Sequence, residues 1–190
     1  PLVNLTGGVP AGGVYSGFAV NSGSFDPSSA GPGTSQIFYE ITAANGCRST
    51  DSSSITVNPL PNYSLTNDTV ICSGSSVDLT AIGGISYSWS NGSTDSTINV
   101  SPQTNTSYLA TVSNALSCSV TDSVLVNVNA SPQAIINGPA ATCSGSPITL
   151  AAAGGQSYVW SDNSTNDSLV VAPTVSTSYS LTVTAANGCS

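Results

Sequence analysis

Five cysteines, eight aspartates and a single glutamate, Glu40, are the residues of this 190-residue chain that could ligate a metal, transfer a proton or form a covalent cross-link. Histidine, lysine and methionine are absent, and Arg48 is the only basic side chain. Ser and Thr are plentiful, but no base is placed to activate them as nucleophiles. A paired-aspartate hydrolase needs two positioned carboxylates in a unique cleft, which a repeating chain does not offer. Zinc wants closely spaced Cys or His clusters and calcium wants converging oxygen ligands, yet no such cluster and no Asp-X-Asp run occurs. The chain therefore reads as non-catalytic, with no cofactor and no metal. The chemistry left to it is thiol oxidation.

The cysteines also disclose a repeat. Cys47, Cys118 and Cys189 stand 71 residues apart, and so do Cys72 and Cys143. Between the latter two, CSGSSVDLTAIGGISYSW (Cys72 to Trp89) returns as CSGSPITLAAAGGQSYVW (Cys143 to Trp160), with 11 of 18 positions identical. Tyr108 and Tyr179 keep the same interval, and TAANGC at Thr42 to Cys47 recurs two periods later at Thr184 to Cys189. Pro59 and Pro61, then Ser131 and Pro132, punctuate the junctions. Three units follow: residues 1–59, glycine-rich and lacking an opening strand; 60–130; and 131–190, lacking a final strand. With both outer units incomplete and no initiator Met, a piece of a longer polypeptide is expected.

The elements that hold these cysteines are strands. In the middle unit Val77, Leu79 and Ala81 alternate with polar residues, as do Tyr87 and Trp89, Ile98 and Val100, Tyr108, Ala110 and Val112, and Val124, Val126 and Val128. A period of two with Gly, Pro, Asn and Ser between runs means short strands apolar on one face, and that face needs a second sheet to cover it. The fold class expected is all-β: tandem immunoglobulin-like β-sandwich repeats of about 71 residues. Trp89 and Trp160 fall on the apolar phase, which makes them core residues and not sugar-stacking platforms.

A formal net charge of −8 and a pI near 4.1 exclude nucleic acid as a partner. No run approaches the roughly 18 apolar residues of a membrane-spanning helix, and no basic-then-apolar leader is present.

Evenly spaced cysteines in a lysine-free chain fit an oxidising compartment, where small sandwiches rely on disulfides. Four strands are expected between Cys72 and Cys118 (76–82, 86–90, 97–101 and 107–113), and an even number of antiparallel passes returns the chain to its starting pole. That count predicts Cys72–Cys118 and Cys143–Cys189, with Cys47 paired to a cysteine upstream of residue 1; each loop would contribute about 4 kcal/mol. The rival pairing, Cys47–Cys72 and Cys118–Cys143, would staple neighbouring units.

The frames CSGSxxxLxAxGGxSYxW, TSY and NGC resemble the immunoglobulin-like repeats of large Bacteroidota surface proteins, including gliding-type adhesins. The first unit, with LTGGVPAGGVYSG and FDPSSAGPGT, resembles a sister subtype. This resemblance spans essentially the whole chain and implies type IX export to the cell surface or an extracellular fibre. Asp68-Thr69-Val70, Asp95-Ser96-Thr97, Asp122-Ser123-Val124 and Asp167-Ser168-Leu169 resemble the Bacteroidota O-glycosylation motif, which would place sugar on Thr69, Ser96, Ser123 and Ser168; the same dipeptides also make ordinary turns. The expected role is a structural or adhesive stalk or fibre segment, partnered by neighbouring repeats of the same polypeptide, by copies of itself in a homopolymer, or by a surface glycan or protein ligand. The alternative is a carbohydrate-binding or accessory module of a secreted enzyme.

Overall fold

The computed structural model describes all residues from Pro1 to Ser190 and is almost entirely β. In chain order come β1 (Val3–Asn4), β2 (Val14–Gly17), β3 (Val20–Asn21), β4 (Ser24–Phe25), the single helical turn α1 (Pro27–Ala30), β5 (Gly33–Thr42) and β6 (Arg48–Val57). Next are β7 (Ser64–Leu65), β8 (Thr69–Cys72), β9 (Val77–Ile82), β10 (Ser86–Trp89), β11 (Thr97–Val100), β12 (Thr106–Ser113) and β13 (Ser119–Asn129). The last are β14 (Ile135–Asn137), β15 (Ile148–Ala153), β16 (Ser157–Trp160), β17 (Ser168–Val171) and β18 (Leu181–Thr184).

The strands form six sheets, ordered β1-β4-β3, β2-β5-β6, β11-β9-β7, β10-β12-β13-β8, β14-β15-β17 and β16-β18. The sequence period is also a structural one: β15, β16 and β17 begin 71 residues after β9, β10 and β11. One pairing is parallel, β13 on β8, with Val126 opposite Thr69 and Asn129 opposite Cys72. By packing, the chain divides into two compact units, one of residues 1–64, 82–87 and 111–121, the other of 65–81, 88–110 and 122–190.

In the second unit the buried side chains follow the period-two phase: Leu79 and Ala81 on β9, Trp89 on β10, Ile98 and Val100 on β11, Ala110 on β12, Val124 and Val126 on β13. Each fully buried aliphatic side chain contributes about 1.5–3 kcal/mol. Leu150, Trp160 and Leu169 form the corresponding cluster further along, with Tyr179 and Leu181 packed against it. Both tryptophans are 2% exposed and are tied in the same way: the indole N–H of Trp89 donates to the Asp95 carbonyl at 2.9 Å, and that of Trp160 to the Asn166 carbonyl at 3.0 Å. In the first unit, where no Trp stands in residues 1–59, Phe25 and Ile37 are buried and the Tyr15 and Tyr39 rings lie 4.8 Å apart. The Tyr39 hydroxyl donates to the Pro10 carbonyl and accepts from the Gly13 N–H, both at 2.7 Å.

Two glycine positions explain the GG of the repeated frame. Gly83 and Gly154 hold φ of 91° and 103°, and a Cβ on either would meet a backbone carbonyl oxygen, of Asn62 and Gln133 respectively. Only glycine lets the segment that precedes the strand β7 or β14 pass so closely.

Candidate functional site

The cysteine chemistry is realised, but between residues other than those predicted. Cys72 is bonded to Cys189, with Cα atoms 5.6 Å apart, and Cys47, Cys118 and Cys143 are free thiols. Neither Cys72–Cys118 nor Cys143–Cys189 forms, and the rival set does not form either.

The reason lies in the pass count. The Trp89 N–H donates to the Ser93 carbonyl and the Ala81 N–H to the Ser96 carbonyl, so residues 93–96 carry the chain back without forming a strand. That extra return makes five passes between Cys72 and Cys118, an odd number. Cys118 immediately precedes β13, whereas Cys72 lies beside Asn129 at its far end. Ten residue steps at about 3.3 Å each separate the two ends of that strand.

What meets Cys72 is the tip of the next hairpin. The Asn187 amide donates to the Ala130 carbonyl at 3.1 Å, and the Cys189 Sγ lies 4.0 Å from the Asn129 carbonyl oxygen, which sets Cys189 against the residue paired with Cys72. The hairpin has a fixed form. Ala185 N–H donates to the Cys189 carbonyl and Gly188 N–H to the Ala185 carbonyl, with Gly188 at φ 84°. One period earlier Cys118 occupies the same setting. Its Sγ lies 4.0 Å from the Asn58 carbonyl oxygen, and the Asn114 amide donates to the Pro59 carbonyl at 2.8 Å. The residue 71 positions before Cys72 is Pro1, so the first sequence repeat has no thiol at the matching position for Cys118.

The four candidate glycosylation residues do not form one structural class. Ser96 and Ser123 are exposed, while Thr69 and Ser168 are half-buried at the starts of β8 and β17. Their aspartates have bonding roles of their own: Asp68 Oδ1 accepts the Leu125 N–H at 2.8 Å, and Asp122 Oδ1 accepts the Ser123 N–H at 2.8 Å. Ser96 and Asp167, not Ser96 and Ser168, are the equivalent positions, since their carbonyls accept the Ala81 and Ala152 amides.

No three His, Cys, Asp or Glu side chains converge. Two aspartates are perturbed, the half-buried Asp26 and the exposed Asp162. Hydroxyl hydrogen bonds from Ser28 and Ser29 hold the Asp26 carboxyl at about 2, below its ordinary 3.8, and the Ser164 amide and hydroxyl lower Asp162. Asp26 caps α1, a structural task. A shallow concavity of about 490 Å³ is lined by Pro139, Ala140, Thr142, Leu150, Thr177 and Tyr179 among others.

No described family matches the chain, and no curated protein is similar to it. Among solved structures it is similar to the SGBP-B protein of the Bacteroides ovatus mixed-linkage glucan utilization locus, solved with a mixed-linkage heptasaccharide. The identity is 15% and the TM-score 0.23, over 99% of this chain and 58% of that one. It is also similar to a Ca2+-stabilized adhesin that helps an Antarctic bacterium reach out and bind ice, at 14% identity and a TM-score of 0.26, over 74% of this chain and 46% of that one. The chain thus spans about half the length of each, and at such scores the likeness carries no argument about either fold or ligand.

Proposed function

We propose that the chain is a segment of an extracellular stalk or fibre of a large bacterial surface protein, built from tandem immunoglobulin-like β-sandwich repeats divided near residues 59 and 130. The sheet orders β11-β9-β7 and β10-β12-β13-β8 support the sandwich reading, because they distribute the strands as an immunoglobulin-type fold does. The observation that carries the role is the Cys72–Cys189 disulfide, which crosses the division near 130 and encloses a sequence separation of 117. A bond placed there adds nothing to a cleft. It prevents two successive repeats from being pulled apart, which is what a load-bearing stalk requires, and it implies an oxidising, extracytoplasmic setting.

Under tension the intact bond withholds the enclosed residues from extension. Reduction releases about 400 Å of extra length per molecule at roughly 3.5 Å per residue. Single-molecule pulling with and without reductant measures that difference, and an equal extension in both would sink the load-bearing role. Gold-labelled antibody on native cells should decorate surface stalks or fibres. The carbohydrate-module alternative finds little purchase, since no Trp or Tyr is exposed and the exposed aromatics are Phe18 and Phe38. Saturable binding on a glycan array would revive it.

A further inference from the structure

The hairpins that follow β12 and β18 reach equivalent carbonyls with asparagines that are not equivalent. Asn114 donates to Pro59 at 2.8 Å and Asn187 to Ala130 at 3.1 Å, and Pro59 and Ala130 stand 71 residues apart. Yet the residue 71 positions after Asn114 is Ala185, and the one 71 positions before Asn187 is Leu116. Two different side chains thus close the same contact. In each, the amide oxygen is engaged inside its own hairpin: Asn114 Oδ1 accepts the N–H groups of Leu116 at 3.0 Å and Cys118 at 3.1 Å, and Asn187 Oδ1 accepts that of Cys189 at 3.1 Å. With the oxygen held, the NH2 group is left to donate to the carbonyl outside the hairpin.

The contact does not depend on a disulfide. Cys118 Sγ lies 4.0 Å from the Asn58 carbonyl oxygen, as Cys189 Sγ lies 4.0 Å from that of Asn129, but Cys118 is a free thiol. The docked hairpin is common to both places, and the cross-link is added to one of them.

We propose that Asn187 is the residue that selects the disulfide partner: its amide latches the hairpin to Ala130 in the reduced chain and so presents Cys189, and no other thiol, to Cys72. Asn114 is the same latch without a bond to direct. Oxidation follows docking. With a small-molecule disulfide such as oxidised glutathione, one protein thiolate breaks the oxidant's S–S bond, forms a mixed disulfide and releases one glutathione thiol. The second protein thiolate attacks the protein sulfur of that mixed disulfide, forms Cys72–Cys189 and releases the other, so two protein thiols are oxidised and one glutathione disulfide is reduced. The latch contributes by raising the effective concentration of one thiol at the other. It rests on the repeat reading above and not on the stalk role.

The test is the equilibrium between the reduced and the Cys72–Cys189 forms of the 190-residue chain in glutathione buffers, with peptide mapping of the bonds formed. Asn187→Asp keeps the acceptor for the Cys189 N–H but sets a carboxylate against the Ala130 carbonyl. It should lower the equilibrium constant about tenfold or more and raise the share of mispaired cysteines. Asn114→Asp should leave that constant unchanged and speed alkylation of the half-buried Cys118, with the exposed Cys47 and Cys143 unaffected. Asn187→Leu should weaken pairing as Asn187→Asp does, and adding Ala185→Asn, which copies the Asn-Ala-Leu order of residues 114–116, should restore it. Parent-like amide exchange on β15 and β17 identifies the variants whose fold is intact. An unchanged constant in Asn187→Asp, an equal fall in Asn114→Asp, or no recovery in the double variant overturns the latch. None of these results bears on extension under tension or on surface labelling, which test the stalk.

Discussion

At the scale of single residues, backbone conformation dominates. Gly83→Ala and Gly154→Ala each combine a positive φ with a methyl directed at a carbonyl oxygen. A loss of roughly 3 kcal/mol is expected for either in urea denaturation, with Ser101→Ala as an exposed comparison that should be near neutral. The hairpin tips supply the converse case. Gly46, Ser117 and Gly188 are equivalent positions with φ of 83°, 59° and 84°, so Ser117 carries a strain its counterparts avoid. Ser117→Gly should stabilise by about 0.5–1 kcal/mol, and a neutral or negative result would mean that the Ser side chain compensates locally. Asp26 gives the acid dependence. Its folded pKa, about 2, lies below the ordinary 3.8. The stabilisation it provides is therefore complete above pH 4 or so and is lost as pH falls from about 4 to about 2. An NMR titration of the Asp26 carboxyl with a midpoint near 3.8 would contradict the cap.

At the scale of elements, the parallel β8–β13 pair is the unusual feature, and Asp68 secures it. Its Oδ1 accepts the Leu125 N–H, a group on β13 just before the first ladder pair, Val126 with Thr69. Removing the acceptor by Asp68→Ala should cost about 1–2 kcal/mol and speed exchange of the Leu125 amide. Unchanged exchange there would show that the carboxylate does not hold the edge. The pair also sets where the staple lies, because Asn129 and Cys72 share a rung and the following hairpin docks on the carbonyls of Asn129 and Ala130. A four-residue β8 thus determines which two cysteines can meet.

At the scale of the whole molecule, one cross-link should be found and three thiols should remain reactive. Alkylation without reduction should label Cys47, Cys118 and Cys143, and peptide mapping should recover Cys72 joined to Cys189. A Cys72–Cys118 peptide would contradict the fold itself. By chain-entropy reasoning a loop of this length stabilises by about 5 kcal/mol, so Cys72→Ser should lower the urea midpoint strongly, and Cys189→Ser should lower it equally because each removes the same bond. Reduction of the unmutated chain should match both.

The period, the strand phase and the core are local properties, and the amino-acid order carries them openly. Alternation at Leu79 and Ala81, at Ile98 and Val100, and at Val124 and Val126 states which face is buried before any sheet is known, and all six are buried. The β-rich class and the structural place of the two tryptophans follow from the same alternation. The disulfide partner was not legible, for a physical reason. Pairing depends on which pole each cysteine reaches, and pole depends on every reversal of the chain, including the strandless return through residues 93–96 that has no hydrophobic alternation to announce it. Sequence spacing made the cysteines equivalent within each series. Only the parallel register of β13 on β8, set by contacts across more than fifty residues, decided that Cys72 faces the hairpin of the following repeat.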